Sequence, residues 1–184
     1  MADLKESPSQ TAGPYVHIGC VPTFAGLEDM FDGTDLGARM ITGDPEGDRI
    51  TLTLKVIDGA GEPLTDAMIE IWQPGPGGGF GPTDGFSNWG RQPTAADTGN
   101  AVFETLMPGA PKGQAPHMFV WIAARGINLA LMTRIYFPDQ DNSADPVFTL
   151  AGDRASTLVA TPVERGFTHV IHLQGEKETV FFDV

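Results

Sequence analysis

Arg49-Ile50-Thr51-Leu52-Thr53-Leu54-Lys55-Val56-Ile57 alternates polar and apolar side chains almost one for one. Successive side chains of an extended chain point to opposite faces. Ile50, Leu52, Leu54 and Val56 therefore share one face, and Thr51, Thr53 and Lys55 share the other. A half-buried strand satisfies that pattern and a helix does not. Outward from it, Asp58-Gly59-Ala60-Gly61 reads as a turn and Ala67 to Trp72 as a second strand. Pro74 to Gly85 is a Gly/Pro-rich loop. Asp97-Thr98-Gly99-Asn100 is a turn before a short strand, Ala101 to Leu106. His117 to Ala124 and Leu129 to Phe137 follow as strands around Gly126. Asp145 to Leu158 has the look of a short helix. Thr168 to Leu173 and Thr179 to Val184 close the sequence as strands, with a turn at Gly175-Glu176-Lys177. Short strands at this spacing, without a long helical period, predict an all-β fold: an antiparallel β-sandwich with short helical segments.

Composition agrees. The chain has 184 residues, which predicts one domain, and its 23 glycines and 15 prolines argue for many turns rather than a helical bundle. Residues 1–48 lack apolar periodicity and read as an N-terminal arm that lies over something else; Leu27 to Phe31 could form one helical turn. Residues 49–184 form the sandwich. The net charge of −13 makes the chain a poor nucleic-acid binder. No apolar run approaches the roughly 20 residues of a membrane span. The one cysteine, Cys20, can form neither an internal disulfide nor a Cys-based zinc site, and reads as a small core residue. With the polar first residues, Met1 to Ser7, this predicts a cytoplasmic protein.

The spacing of reactive residues predicts no self-contained active site. Of His17, His117, His169 and His172, no pair has the His-x-His spacing that puts two ligands on one strand face; His169 and His172 face opposite ways and His117 has Phe119 at i+2. No Gly-x-Ser-x-Gly occurs, and the run Gly75-Pro76-Gly77-Gly78-Gly79 lacks the Gly-Lys-Ser/Thr ending of a phosphate loop.

Several ordered blocks nevertheless resemble the intradiol ring-cleavage dioxygenase family. They are Ile57-Asp58-Gly59-Ala60-Gly61-Glu62-Pro63-Leu64 with Ala67-Met68-Ile69-Glu70-Ile71-Trp72-Gln73; Asp97-Thr98-Gly99 with Phe103-Glu104-Thr105-Leu106-Met107-Pro108-Gly109; Ala115-Pro116-His117; Thr133-Arg134-Ile135-Tyr136-Phe137; and the ending Gly175 to Val184. The resemblance implies a ferric ion held by two tyrosinates and two histidines. Here the departures are as telling as the matches. Where the family has Pro-Gly-x-Tyr-Pro, this chain has Pro108-Gly109-Ala110-Pro111-Lys112, so Pro111 stands at the tyrosine position. The loop from Pro74 to Arg91 contains no tyrosine. The family's His-x-His appears as His117-Met118-Phe119.

Three of four ligand positions are thus lost at Pro111, Phe119 and the loop, and only His117 is kept. By this resemblance the chain holds no metal and no catalytic residue of its own. It is a ligand-less subunit of a hetero-oligomer whose partner, of the same fold, binds Fe(III). The implied reaction uses O2 to cleave a dihydroxylated aromatic carboxylate. The segment Ser9 to Tyr15 resembles the arm that reaches the partner's iron, with Thr11, Gly13 and Pro14 at the pocket wall. Gly and Pro suit a close, fixed backbone approach. Arg134 resembles an arginine near the substrate carboxylate, for which a guanidinium is apt; a surface strand arginine paired with an acid is the other reading of it. Two alternatives stay open: a β-sandwich binding or assembly module with a degenerate metal pocket and no enzyme attached, and a stand-alone dioxygenase using Tyr15, Tyr136, His117 and another histidine.

Overall fold

The computed structural model describes residues 11–81 and 83–183. Eight strands form two four-stranded sheets packed face to face. They are β1 (Arg49–Ile57), β2 (Met68–Trp72), β3 (Trp89–Pro93), β4 (Asn100–Leu106), β5 (His117–Ala123), β6 (Leu131–Tyr136), β7 (Thr161–Val163) and β8 (Gly166–His172). One sheet runs β4-β1-β8-β7 and the other β3-β2-β5-β6. The alternation in β1 is realised as read: Leu52, Leu54 and Val56 are fully buried while Thr51, Thr53 and Lys55 are half-exposed. They meet Ile69 and Ile71 of β2, Phe103 of β4, Met118, Val120 and Ile122 of β5 and Ile135 of β6 in one core between the sheets.

Several expectations need correction. The sandwich is not wholly antiparallel, because β1 and β8 pair in parallel. Periodicity says which face of a strand is buried but not which strand lies beside it. The expected terminal strand at 179–184 does not form over 179–183, and Val184 lies outside the described residues. That segment crosses between sheets: the Thr179 N–H donates to His172 and the Phe182 N–H to Met132, so neither sheet gains a ladder. Strands β3 and β7 were not foreseen. Each carries a proline, which is tolerated on an outer strand, and both lie at sheet edges.

The first described residues contain a seven-residue helix, α1 (Pro14–Cys20), opened by the φ-fixing Pro14 and burying no side chain. Cys20 is therefore half-buried at a helix end rather than in the core. The helical turn expected at Leu27 to Phe31 does not form; the chain turns at Met30–Gly33 instead, with Phe31 and Asp32 in left-handed backbone at φ +52° and +53°. Residues 37–42 run along the free edge of β3, where the Gly37 and Met40 carbonyls accept from Arg91 and Ser87. The helix read between Asp145 and Leu158 appears as α2 (Pro146–Leu150) and a 3-10 helix, Gly152–Leu158. Asp145 caps α2, accepting from the N–H groups of Val147 and Phe148.

Candidate functional site

The outer face of the β3-β2-β5-β6 sheet is aromatic where sheet exteriors are ordinarily polar. Strand register places Trp89, Trp72, Phe119 and Arg134 opposite one another in a row across all four strands. The next row is Arg91, Glu70, Trp121 and Met132. All three tryptophans of the chain stand on this face, and Trp72 is 46% exposed. A groove of about 430 Å3 runs between them, bounded on one side by Val147 and Leu150 of α2 and by Phe182.

At the β5–β6 end of the face the polar groups are buried. The Arg134 guanidinium lies over the Phe119 ring, 4.3 Å from its centroid, a cation–π geometry. Its Nη1 donates to Gln114 Oε1 at 2.9 Å and to the Tyr136 hydroxyl at 3.3 Å, and lies 3.8 Å from Asp145 Oδ1. Asp145 is fully buried and also accepts from the Ala115 N–H at 3.0 Å, so its charge is held by amide dipoles as well as by Arg134. Tyr136 pairs with His117 across the strands, their ring centroids 5.8 Å apart. Burial pushes the Tyr136 phenol up to about 12, although Arg134 pulls the other way. Burial lowers the pKa of His117. The His117 Nδ1 lies 2.8 Å from the Ala115 carbonyl, which makes it the protonated nitrogen, and Nε2 is buried without a partner. The His117 ring lies against the ring of Phe119, edge-on with centroids 4.9 Å apart, and that of Phe80, with centroids 6.4 Å apart.

The structure brings together His117, Phe119 and Arg134. It ties the Pro111 segment to them through a turn: the Pro111 carbonyl accepts from the Gln114 N–H at 3.0 Å, and the Gln114 side chain holds Arg134. It does not bring Thr11, Gly13 and Pro14 there. The Thr11 hydroxyl accepts from the Gly126 N–H at 2.6 Å and faces the Ala124 carbonyl at 3.5 Å. Ala124 lies five residues along the chain from Phe119, about 17 Å at the rise of a strand. Tyr15 is 84% exposed on α1, and His169 and His172 belong to the other sheet. The ligand set imagined for a stand-alone dioxygenase is not assembled. Sequence reading missed the tryptophan face, Gln114 and Asp145. The signal available for the first was that the outward positions of two recognised strands, at Trp72 and Trp121, are aromatic.

The donor set does not fit a ferric ion. Fe(III) in this family calls for anionic oxygen donors. Here the one nearby phenol, Tyr136, is held protonated by burial and faces a guanidinium, while Phe119 and Pro111 offer no donor atom. Among the described residues no group of three or more His, Cys, Asp or Glu side chains is placed to hold a metal.

Comparison with known proteins identifies the family. A family model described as Dioxygenase matches residues 22–115. The protocatechuate 3,4-dioxygenase alpha chain of Pseudomonas putida is 37% identical, over 98% of this chain and 97% of its own. The protocatechuate 3,4-dioxygenase beta chain of Burkholderia cepacia is 32% identical over 58% of this chain and 52% of its own. Among solved structures, an intradiol ring-cleavage dioxygenase from Tetranychus urticae superposes with a TM-score of 0.60 at 20% identity, covering 76% of this chain and 87% of that one, which speaks for the fold. The family is iron-dependent, and its protocatechuate 3,4-dioxygenase members comprise alpha and beta chains. The sandwich and the near full-length identity together place this chain in the intradiol ring-cleavage dioxygenase family, among the alpha chains of protocatechuate 3,4-dioxygenase.

Proposed function

We propose that this chain is the alpha subunit of a protocatechuate 3,4-dioxygenase and that its beta-chain partner alone binds the iron. The complex cleaves 3,4-dihydroxybenzoate with O2 to 3-carboxy-cis,cis-muconate. The observation that carries the division of labour is the buried cluster on β5 and β6. Where a metal-binding relative of this framework requires ligands, this chain has Phe119 and Pro111, with Arg134 packed on the Phe119 ring. A guanidinium in that place repels a cation and favours an anion. In this reading Thr11, Gly13 and Pro14 form pocket wall for the partner's iron, residues 1–48 pack on the partner, and Arg134 supplies charge on the partner-facing surface of the sheet. The assembly works in the cytoplasm.

The test is iron content and visible absorption, measured on this chain alone and on the chain co-purified with its beta partner. The expected result is a colourless, iron-free single chain and a coloured complex with one iron per alpha–beta pair. An iron-loaded, coloured single chain would overturn the assignment. If the chain co-purifies with no iron-binding partner when both are expressed, the reading as an assembly module without enzyme takes its place.

A further inference from the structure

The N-terminal arm is anchored by the buried Val21 and Met40 and by hydrogen bonds along the β3 edge, and one residue, Arg91, holds it at two places, by side chain and by main chain. Helix α1 buries no residue and spans seven positions, too short to be stable by itself. Its position is therefore fixed at its ends. Thr11 is bound at the Gly126 turn. At the other end the Cys20 carbonyl, one of the orphan acceptors of a helix terminus, accepts from Arg91 Nη1 at 3.2 Å. A cation there also complements the helix dipole. The Arg91 main-chain N–H donates to Gly37, at 2.8 Å. Residue 37 must be glycine for this approach, because a Cβ would stand 2.7 Å from the Trp89 ring and 2.9 Å from the Arg91 nitrogen, at a φ of +81°. Cys20 and Gly37 are thus both pinned to Arg91, and the loop between them is closed by Thr23 and Asp35, whose carboxylate accepts from both the Thr23 N–H and hydroxyl.

Arg91 is itself immobilised. Glu70, its cross-strand neighbour, accepts from Nε at 2.8 Å and Nη2 at 2.7 Å, and the second Glu70 oxygen accepts from Trp89 Nε1 at 3.1 Å. The guanidinium carbon lies 5.0 Å from the Trp89 ring centroid. Two donors of the fork face Glu70 and a third faces the arm, a division that a lysine ammonium on its flexible stem cannot reproduce. We propose that Arg91, gripped by Glu70, is the positioning residue for the N-terminal arm and sets where Thr11, Gly13 and Pro14 stand against the partner's pocket. This rests on the reading above that those three form pocket wall.

The experiment uses the co-expressed alpha–beta complex with Arg91→Lys, which keeps a cation beside Glu70 and so keeps the fold, and with Thr11→Val/Pro14→Ala as a second variant. Steady-state kinetics with 3,4-dihydroxybenzoate, iron stoichiometry and amide hydrogen exchange are measured on each. The expected result for Arg91→Lys is a KM raised about three- to ten-fold with kcat within about two-fold of the parent. Iron content should be unchanged, and exchange at residues 15–20 should be about ten-fold faster. Unchanged KM and unchanged exchange would overturn the proposal. So would a fall in iron content together with kcat, which would mean general damage. Faster exchange with normal KM in Arg91→Lys, and normal KM also in Thr11→Val/Pro14→Ala, would overturn it by removing the pocket-wall reading beneath it. A raised KM in the double variant alone would leave that reading standing and remove Arg91.

Discussion

His169 should make this fold acid-sensitive by an amount that can be worked out beforehand. It lies on β8 opposite Leu54 of β1 and is only 5% exposed. One ring nitrogen faces the Val159 carbonyl, while Nε2 is buried without a partner. Burial pushes its pKa down from 6.5 to about 4, more than the Val159 carbonyl restores, and nearby His172 adds to the lowering. The unfolded chain therefore binds a proton at a higher pH than the folded one. This group's contribution to stability is complete above pH 6.5, falls as the pH drops, and has gone by about pH 4. A shift of this size corresponds to about 3 kcal/mol over the whole window, of which about 2 kcal/mol is lost by pH 5. The assay is urea unfolding of the chain at low concentration, read from tryptophan fluorescence at pH 7 and pH 5, with His169→Asn alongside. Asparagine keeps an N–H for the Val159 carbonyl and does not titrate. The variant's loss between pH 7 and pH 5 should be smaller than the parent's by about 2 kcal/mol. Burial also lowers His117 and acts in the same sense, but equally in both proteins, so the difference isolates His169. Equal losses in parent and variant would refute the reasoning, because the buried ring would then titrate as if solvated.

Three further outcomes follow from the buried groups. Arg134→Met should raise the complex's KM for 3,4-dihydroxybenzoate by several-fold and cost about 2–4 kcal/mol in urea unfolding, since Asp145 is left buried with only amide partners; unchanged kinetics would remove Arg134 from the pocket. The difference in phenolate absorbance between parent and Tyr136→Phe should be absent below about pH 11, because burial holds this phenol at about 12; phenolate at neutral pH would reopen Tyr136 as a metal ligand. Gly166→Ala should yield little folded protein, because a Cβ there would meet the Thr51 carbonyl oxygen at 2.1 Å in the β1–β8 seam; a soluble variant with parental urea midpoint would show that seam to be loosely packed.

What could be read from the sequence divides along physical lines. The strands β1, β2, β4, β5, β6 and β8 were legible because each must show the core one face, and that requirement writes alternation into the chain. Strand β3 was not, because its inward residue is Gly90. A Cβ there would come within 2.7 Å of Met40, so close packing rather than side-chain area decides that position. The parallel β1–β8 pairing was illegible for another reason: both strands carry the same pattern whichever neighbour they take. At the site, the His117/Phe119 relation was legible from i, i+2 spacing and Arg134 from resemblance. The Glu70–Arg91 grip was not, because the two residues are 21 apart in sequence and meet only through the register of β2 with β3.

On the proposed division of labour, strand β5 is where the framework gives up a metal ligand and still keeps its fold. Met118, Val120 and Ile122 point into the core and are fully buried, or nearly so, whereas His117, Phe119 and Trp121 point to the outer face. The two faces answer to separate demands. Exchanging a ligand for phenylalanine at 119 leaves the inward triplet, and with it the packing against Leu52, Leu54 and Ile69, untouched. The outer face then obeys its own chemistry. Of the buried groups there, the Asp145 carboxylate is the one a cation complements, and Arg134 lies 3.8 Å from it while covering Phe119. On that proposal the guanidinium supplies the cation beside Asp145 and is also a candidate for substrate charge. These two roles separate in Arg134→Lys. Lysine retains the charge near Asp145 but loses the planar guanidinium that lies over Phe119. If supplying the cation beside Asp145 is its whole role, Arg134→Lys should hold both the urea midpoint and KM near parental; if the planar guanidinium also binds the substrate's carboxylate, KM should rise several-fold while the midpoint holds.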